Sequence, residues 1–479
     1  MTTGSDAAAT AGERGKAGWL ELLQGGRAVH TVMLNLGIGL HALDIFIMTT
    51  IMPAVVADIG GLSYYTWTSM LYMLGSIVGA ASGAHMRARL GRRRGYVWAG
   101  VVLLVGTVGC AVPPDMATLL LGRVAKGFGG GLVISQSMAL VSELYDARLR
   151  TRILALITGT WSVAALIGPA IGGVFGEIAW WRGAFWATVP FVLLFIAVAW
   201  RTIPDAAADA PGRRMPWRRL TLLALGVMSV GLTSQIRQPL AVGALILAAG
   251  VLVWLSFRLD EASDHSLFPS RALSLFAPVG LAYWVYFLIS FTHSALLVFV
   301  PLFLQVLHGI SPLWIGYLSL VFSLGWTAGS VGVSGWTGVG ERIASVGGMA
   351  LAAVSVAAFA MATLGGSLWI ITVSIAIAGL GIGATNVQMT AFGMAVARRG
   401  EESVTASSMP TVRSLGVAFG AAAAGLVANA AGLDRGTSPE TMIRVAGWVL
   451  GMTALVPALA AFIALRAYRA GARVALPAR

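Results

Sequence analysis

Asp44 lies in the apolar run Ala42-Leu43-Asp44-Ile45-Phe46-Ile47 and is the acid that can be placed deep inside a hydrophobic segment. Arg123 and Lys126 fall inside a second such segment. A carboxylate in a membrane interior is costly, so it usually faces a cavity or a partner and marks function. If the three side chains meet, their chemistry is proton exchange. Burial favours the neutral form of an Asp, whereas a nearby cation favours the carboxylate. Any motion that changed the Asp–cation distance would then load or unload a proton. One pKa unit corresponds to about 1.4 kcal/mol. A proton falling through ~150 mV yields roughly 3.5 kcal/mol, so a shift of a few units is on the right scale. The alternative is a static salt bridge that locks two helices together. His41 precedes Asp44 by three positions and shares its helical face. It is either a second proton site, since His titrates near neutrality, or a structural residue.

The elements that must position these groups are membrane spans. Apolar residues make up 57% of the 479 residues and charged residues only 11%, against about a quarter in a soluble domain. There is too little polar surface to cover a globule in water. The solvent must be lipid. A span needs about 20 mostly apolar residues. Fourteen segments qualify, near 31–53, 63–84, 95–113, 117–140, 152–175, 184–200, 220–236, 240–257, 276–303, 313–334, 343–363, 367–391, 404–430 and 442–465. The seventh and eighth are the weakest, with Arg237 and Pro239 leaving little room between them; without that pair, twelve spans remain. At 1.5 Å per residue, Asp44 lies roughly 14 Å below Pro53, and Arg123 and Lys126 lie roughly 9 and 14 Å below Ala117. The depths agree, so an ion pair is expected.

The basic residues give the direction. With the N-terminus inside, 25 of the 32 Lys and Arg residues fall on the cytoplasmic side and four outside: Arg182, Arg237, Arg435 and Arg444. Both termini are therefore expected in the cytoplasm of a multi-pass inner-membrane protein. About thirty small and polar residues precede the first apolar run, which does not read as a signal peptide. The net charge of +13 comes in short bursts, such as Arg92 to Arg94 and Arg213, Arg214, Arg218 and Arg219. Such bursts suit anionic lipid rather than nucleic acid. Cys110 is the single cysteine, which excludes an intrachain disulfide and reads as a small buried apolar residue.

The segments suggest a layout. A cytoplasmic segment 1–30 leads into a six-helix bundle at 31–200. Residues 201–275 hold linkers at 201–219 and 258–275 around two additional spans. A second six-helix bundle follows at 276–465, and a cytoplasmic tail at 466–479. The halves echo each other faintly: Pro53 and Pro301 end the first and ninth spans, and Ser63 and Ser311 open the next ones ten residues later. Duplicated halves with a site at their interface are typical of secondary transporters. The expected fold is all-α and integral to the membrane, with two pseudo-repeated bundles and an inserted pair.

The stretches Leu43 to Pro53, Arg123 to Gly129 and Gly168 to Gly173, taken in order, resemble the drug:proton antiporters of the major facilitator superfamily, fourteen-helix branch. Leu43-Asp44 to Pro53 and Asp58-Ile59-Gly60-Gly61 are similar to that family's first-span signature. Arg123-Val124-Ala125-Lys126-Gly127-Phe128-Gly129 resembles the fourth-span R-x-x-Q-G-x-G motif, whose Arg is implicated in proton transfer; Lys126 replaces the usual Gln. Gly168-Pro169-Ala170-Ile171-Gly172-Gly173 resembles the core of the fifth-span antiporter motif, although Ala164 stands at an upstream glycine. Glycine pairs allow close helix approach and Pro permits a bend, so this stretch serves either gating or packing. In the loop signature G-x-L-x-D-R-x-G-R-R, Gly91 and Arg92 are present but Ala88 replaces the acid, which puts the usual latch in doubt. Val300 to Gln305, Gly309 to Pro312, and Ala406 to Gly416 complete the likeness.

The resemblance implies a secondary active transporter coupling efflux of amphipathic compounds or drugs to protons, not an enzyme. Proton-symport uptake of a metabolite, lipid translocation, and a non-transporting scaffold or sensor are the alternatives. Asn35, Gln136, Trp161, Tyr286, Asn386 and Arg413 are candidate cavity residues, with Arg413 either a buried cation or a structural residue satisfying carbonyls. Ser162, Trp284, Trp326 and Gln388 lie on the same spans, while His293 and His308 read as structural. The deep charges are one acid against three cations, which predicts poor handling of dications and better handling of neutral, zwitterionic or anionic amphiphiles. Expected partners are a small amphipathic substrate, protons and membrane lipid. No cofactor, metal or nucleic acid is expected, and the need for a periplasmic adaptor is left open.

Overall fold

The computed structural model describes residues 21–22, 24, 26–145, 147–204, 216–236, 238–263, 266–365, 367–398 and 401–475. Most of segment 1–30, linker residues 205–215 with Arg213 and Arg214, Arg237, Asp264 and the last residues of the tail lie outside them. The described residues form helices α1 (Arg27–Ile59), α2 (Trp67–Leu90), α3 (Arg92–Ala111), α4 (Met116–Leu144), α5 (Ala147–Glu177), α6 (Trp181–Trp186) and α7 (Val189–Thr202). Two more follow, α8 (Trp217–Thr233) and α9 (Pro239–Glu261). The last six are α10 (Pro278–His308), α11 (Pro312–Gly332), α12 (Val339–Gly365), α13 (Leu368–Ala395), α14 (Glu402–Ala430) and α15 (Pro439–Ala475). Each expected segment contains a helix, the sixth being α6 and α7 in series. Among the described residues, twelve segments are long and apolar enough to cross a membrane. The protein is an all-α, multi-pass membrane fold.

Three expectations are corrected. Pro53 and Pro301 do not end their helices; both lie inside, and α1 and α10 continue to Ile59 and His308. In lipid a helix tolerates an internal proline because neighbours and side chains satisfy the freed carbonyl more cheaply than an exposed break would. Ser63 does not open α2, which starts at Trp67 after a short turn. The linker at 258–275 is helical at its start: Asp260 belongs to α9, is buried, and receives the backbone N–H groups of Leu267 and Phe268 at 2.9 Å. Its ion pair with Arg219 clamps that end of α8 and α9.

Glycines set the closest approaches. A Cβ at Gly127 would stand 2.1 Å from Tyr72 O, and one at Gly131 2.1 Å from Ser76 O. The same holds in reverse at Gly79, 2.1 Å from Phe128 O. These pairs rise together in number, so α2 and α4 run parallel and backbone to backbone. On the other side, a Cβ at Gly106 would meet Lys126 N at 2.2 Å, which brings α3 antiparallel onto α4. Gly91 alone joins α2 to α3, with φ +77°, a conformation glycine takes without strain. The α3–α4 turn ends at Asp115, whose side chain accepts from Thr118 N at 2.8 Å. That bond holds the carboxyl below its ordinary value. The cap is therefore fully present above the ordinary carboxylate range and is lost as pH falls through the lowered value.

Helices α1–α7 pack chiefly on one another, as do α10–α15, and the groups meet where α5 packs on α11 and α2 on α14. Both seams close at the end opposite the arginine-rich loops. There Ser311 Oγ donates to Glu177 Oε1 at 2.8 Å, and Asn429 Nδ2 donates to Ser63 O at 3.1 Å. The α8–α9 turn joins the second seam, since Trp67 Nε1 donates to Ser234 Oγ at 3.0 Å and Asn429 Nδ2 to Ser234 O at 2.9 Å.

Candidate functional site

Asp44 on α1 and Arg123 and Lys126 on α4 meet as the helical depths predicted. Asp44 Oδ2 pairs with Arg123 Nη1, and Oδ1 pairs with Lys126 Nζ. All three side chains are almost fully buried. The approach is possible because Gly130 faces α1; a Cβ there would stand 2.1 Å from His41 Nδ1. Arg123 also donates from Nε to Thr68 O at 3.1 Å, and its guanidinium lies 4.2 Å from the Tyr72 ring centroid. Lys126 Nζ lies 4.8 Å from the Phe185 ring centroid on α6. The two cations are thus held by α2 and α6 as well as by the acid.

His41 is connected to this cluster through Tyr72, a residue the sequence did not single out. Tyr72 Oη lies 2.8 Å from His41 Nδ1 and donates to His41 O at 3.0 Å. The two rings stack at 5.2 Å, and His41 also meets Trp161 edge-on at 6.2 Å. His41 and Trp161 line a cavity between the two groups of helices. Its exposed wall residues Met138 and Pro410 lie toward the arginine-rich end, so the cavity opens there. A path of touching groups therefore runs from the cavity through His41 and Tyr72 to Arg123 and Asp44.

The cavity candidates divide. Trp161 and Arg413 line it, with the Arg413 guanidinium 4.4 Å from the Trp161 ring centroid. Gln136 does not: it is buried against α3 and donates from Nε2 to Gly95 O at 3.1 Å. A polar side chain in a span must be satisfied somewhere, and here a neighbouring backbone carbonyl does it. Asn35 sits off the cavity lining, donating to Thr31 O and accepting from Thr160 Oγ1, both at 2.7 Å. Tyr286 and Asn386 are partly buried and lie outside the cavity's lining. Trp284 donates to Leu273 O at 3.1 Å, and Gln388 is bound to the α11 C-terminal carbonyl of Val333. His308 is structural, 3.0 Å from Thr363 O. His293 lines the cavity and stacks on Phe322 at 5.2 Å.

The gating and packing candidates sit at crossings. A Cβ at Gly168 would meet Phe46 Cβ at 2.6 Å, and one at Gly172 would meet Thr50 Cβ at 2.9 Å, both on α1. Gly316 faces Pro169, and a Cβ at Gly173 would stand 2.7 Å from Leu313 Cα. Gly173→Val is therefore expected to hold α5 and α11 apart. In a Cys110→Ala background, Glu177→Cys with Ser311→Cys should cross-link readily under mild oxidation and stop doing so once Gly173→Val is added. Arg92 pairs with Glu143 at 3.0 Å, and Arg87 pairs with the same carboxylate. Glu143 on α4 thus supplies an acid to the basic cluster that Ala88 lacks. Among the described residues, no three His, Cys, Asp or Glu side chains gather as metal ligands do.

The profile of the Major Facilitator Superfamily matches residues 34–421. A Mycobacterium tuberculosis protein named as a probable multidrug-efflux transporter is 31% identical over 442 residues, covering 88% of this chain and 91% of its own. Among solved structures, a bacterial homologue of the human lysosomal transporter Spinster superposes with a TM-score of 0.64 at 17% identity, over 95% of this chain and 100% of its own. A D-xylose–proton symporter does so with a TM-score of 0.61 at 14% identity, over 89% and 96%. These two likenesses are of fold.

Proposed function

The chain belongs to the major facilitator superfamily and is a secondary transporter, and on that premise we propose that it exports amphipathic organic compounds in exchange for protons. The observation that carries this reading is Asp44, whose two oxygens are each held by a cation of α4, one helical turn from the cavity-lining His41. A carboxylate that keeps its cations stays ionised, and one that loses them in a dry interior takes up a proton. Rocking of the two groups of helices changes what surrounds α1 and α4, so the state of the acid can be tied to the side on which the cavity opens. Arg123 would hold and release the carboxylate, and Lys126 would keep the released site positive. His41, on the cavity wall one helical turn before Asp44, would exchange the proton with the cavity, and Tyr72 would hold its ring in place.

The remaining layout follows the same reading. α2 runs beside α4 over residues 72–79 and 124–131, so it reaches the same depth despite its basic end. Counting α2 and the 17-residue α8 with the twelve apolar segments gives fourteen spans in two six-helix halves with an inserted pair. The excess of basic residues at one end supports cytoplasmic termini in a bacterial inner membrane. The cavity then opens to the cytoplasm, where an exporter loads. Export is favoured over uptake by the likeness to a named multidrug-efflux transporter along most of both chains.

The test is the sign of proton flow. In proteoliposomes with inside-out protein, its cytoplasmic face outward, an inside-acid gradient should drive an amphipathic compound such as a naphthalene carboxylate into the lumen while protons leave. Movement of substrate and protons in one direction would instead make the protein a symporter. No flux coupled to any gradient would leave only a scaffold or sensor.

A further inference from the structure

We propose that Arg413 is an anion-recognising residue in the central cavity, and that the substrates are amphipathic compounds with one acidic head, a carboxylate or sulfonate. This rests on the transport reading above and names its substrate class. Arg413 projects from α14 into the cavity wall and lies against Trp161 of α5, so it stands at the boundary between the two groups of helices. Arg123 and Lys126 share one carboxylate, whereas no acid of the described residues stands within ion-pair distance of Arg413. No Asp or Glu lines this cavity either. The charges in and just behind its wall are one carboxylate against three cations, a surplus of two positive charges. A cation in a membrane interior normally acquires a partner, because leaving it unpaired forfeits its solvation. Here the missing partner is supplied by the cavity's occupant.

The rest of the wall fits the body of such a molecule. Phe46, Met73, Leu297 and Val417 present apolar surface, and Trp161 offers an aromatic plane beside the cation. An acidic head would pair with the guanidinium while the apolar part lay along these side chains. His293 from α10 and His41 from α1 add hydrogen-bonding groups to the same wall. Occupation would bring together groups from both halves, which is what an alternating transporter requires of its substrate.

The experiment uses the full-length protein in lipid nanodiscs, without a gradient, with three probes of nearly equal shape. These are 2-naphthylacetate, its neutral amide, and a naphthylethyl trimethylammonium, each radiolabelled and read by scintillation proximity. The acid should bind at least about tenfold more tightly than the amide, and the ammonium least well. Arg413→Gln should bring the acid down to the amide's affinity without moving the amide, while Arg413→Lys should keep part of the preference. A thermal melt of each variant separates loss of recognition from loss of fold. Equal binding of acid and amide, preference for the ammonium, binding of no probe, or an undiminished preference in Arg413→Gln would each overturn the assignment. Loss of the acid preference would leave proton-driven export standing. Absent proton exchange with the preference intact would do the reverse.

Discussion

Asp44→Asn is expected to abolish substrate-induced proton release while the protein still binds substrate. The substitution keeps the shape of the side chain and removes the one acid in contact with Arg123 and Lys126. It also leaves two buried cations facing a neutral amide. Breaking one partner out of a buried ion pair costs about 3–5 kcal/mol. A lower melting midpoint is thus expected, and lost transport alone would not identify the acid's role. The compensated variant Asp44→Asn with Lys126→Met resolves this. The native trio carries a surplus of one positive charge, Asp44→Asn raises it to two, and the second change restores one. The compensated protein should recover most of its melting midpoint and still release no proton. Proton release from it at the native rate would make the trio a static clamp and remove the proposed coupling.

Gly127→Ala and Gly131→Ala should each cost most of the folded protein. Both added methyl groups would lie 2.1 Å from a backbone carbonyl of α2, at Tyr72 and Ser76. A flexible side chain could turn aside, but a carbonyl cannot move without its helix. Overpacking typically costs about 1–3 kcal/mol, and displacing a backbone belongs at the upper end or beyond it. In a free helix the change Gly→Ala is favourable by about 1 kcal/mol. Gly243→Ala and Gly250→Ala on α9, where an added Cβ meets nothing within 4 Å, should therefore be neutral or slightly stabilising. Fluorescence-detected gel filtration after a heat step would read the contrast. If Gly127→Ala survived, its proton release would still be expected to change, because Tyr72 lies 4.2 Å from the Arg123 guanidinium and 2.8 Å from His41.

Much of the site was legible because one rule governs depth in a helix. A fixed rise per residue converts sequence position into height, so Asp44 could be set level with Arg123 and Lys126 before any packing was known. Height is not direction. Gln136 and Arg413 are both polar residues within apolar segments, yet Gln136 turns to the Gly95 carbonyl and Arg413 to the cavity. Nothing in either local sequence separates them, since each face is assigned by the helix that packs there. Tyr72, His293 and Glu143 escaped for the same reason. Each is placed by groups distant in sequence: Tyr72 by His41, His293 by the cavity wall, and Glu143 by the Arg87–Arg92 cluster. The prolines misled in the other direction. Pro53 and Pro301 look like helix ends by the rules of water, whereas in lipid the helix runs through them.

The sequence by itself determined the solvent, the rough limits of the apolar helical segments, and the height of the buried acid and its two cations. These depend on composition and on distance along a single helix, which are local quantities. Tertiary structure alone decided which glycines touch a carbonyl, which polar residues face the cavity, and that a tyrosine links the histidine to the charged trio. Those depend on how separate helices rotate and approach one another, and in lipid that is set by the mutual fit of their surfaces rather than by hydrophobicity.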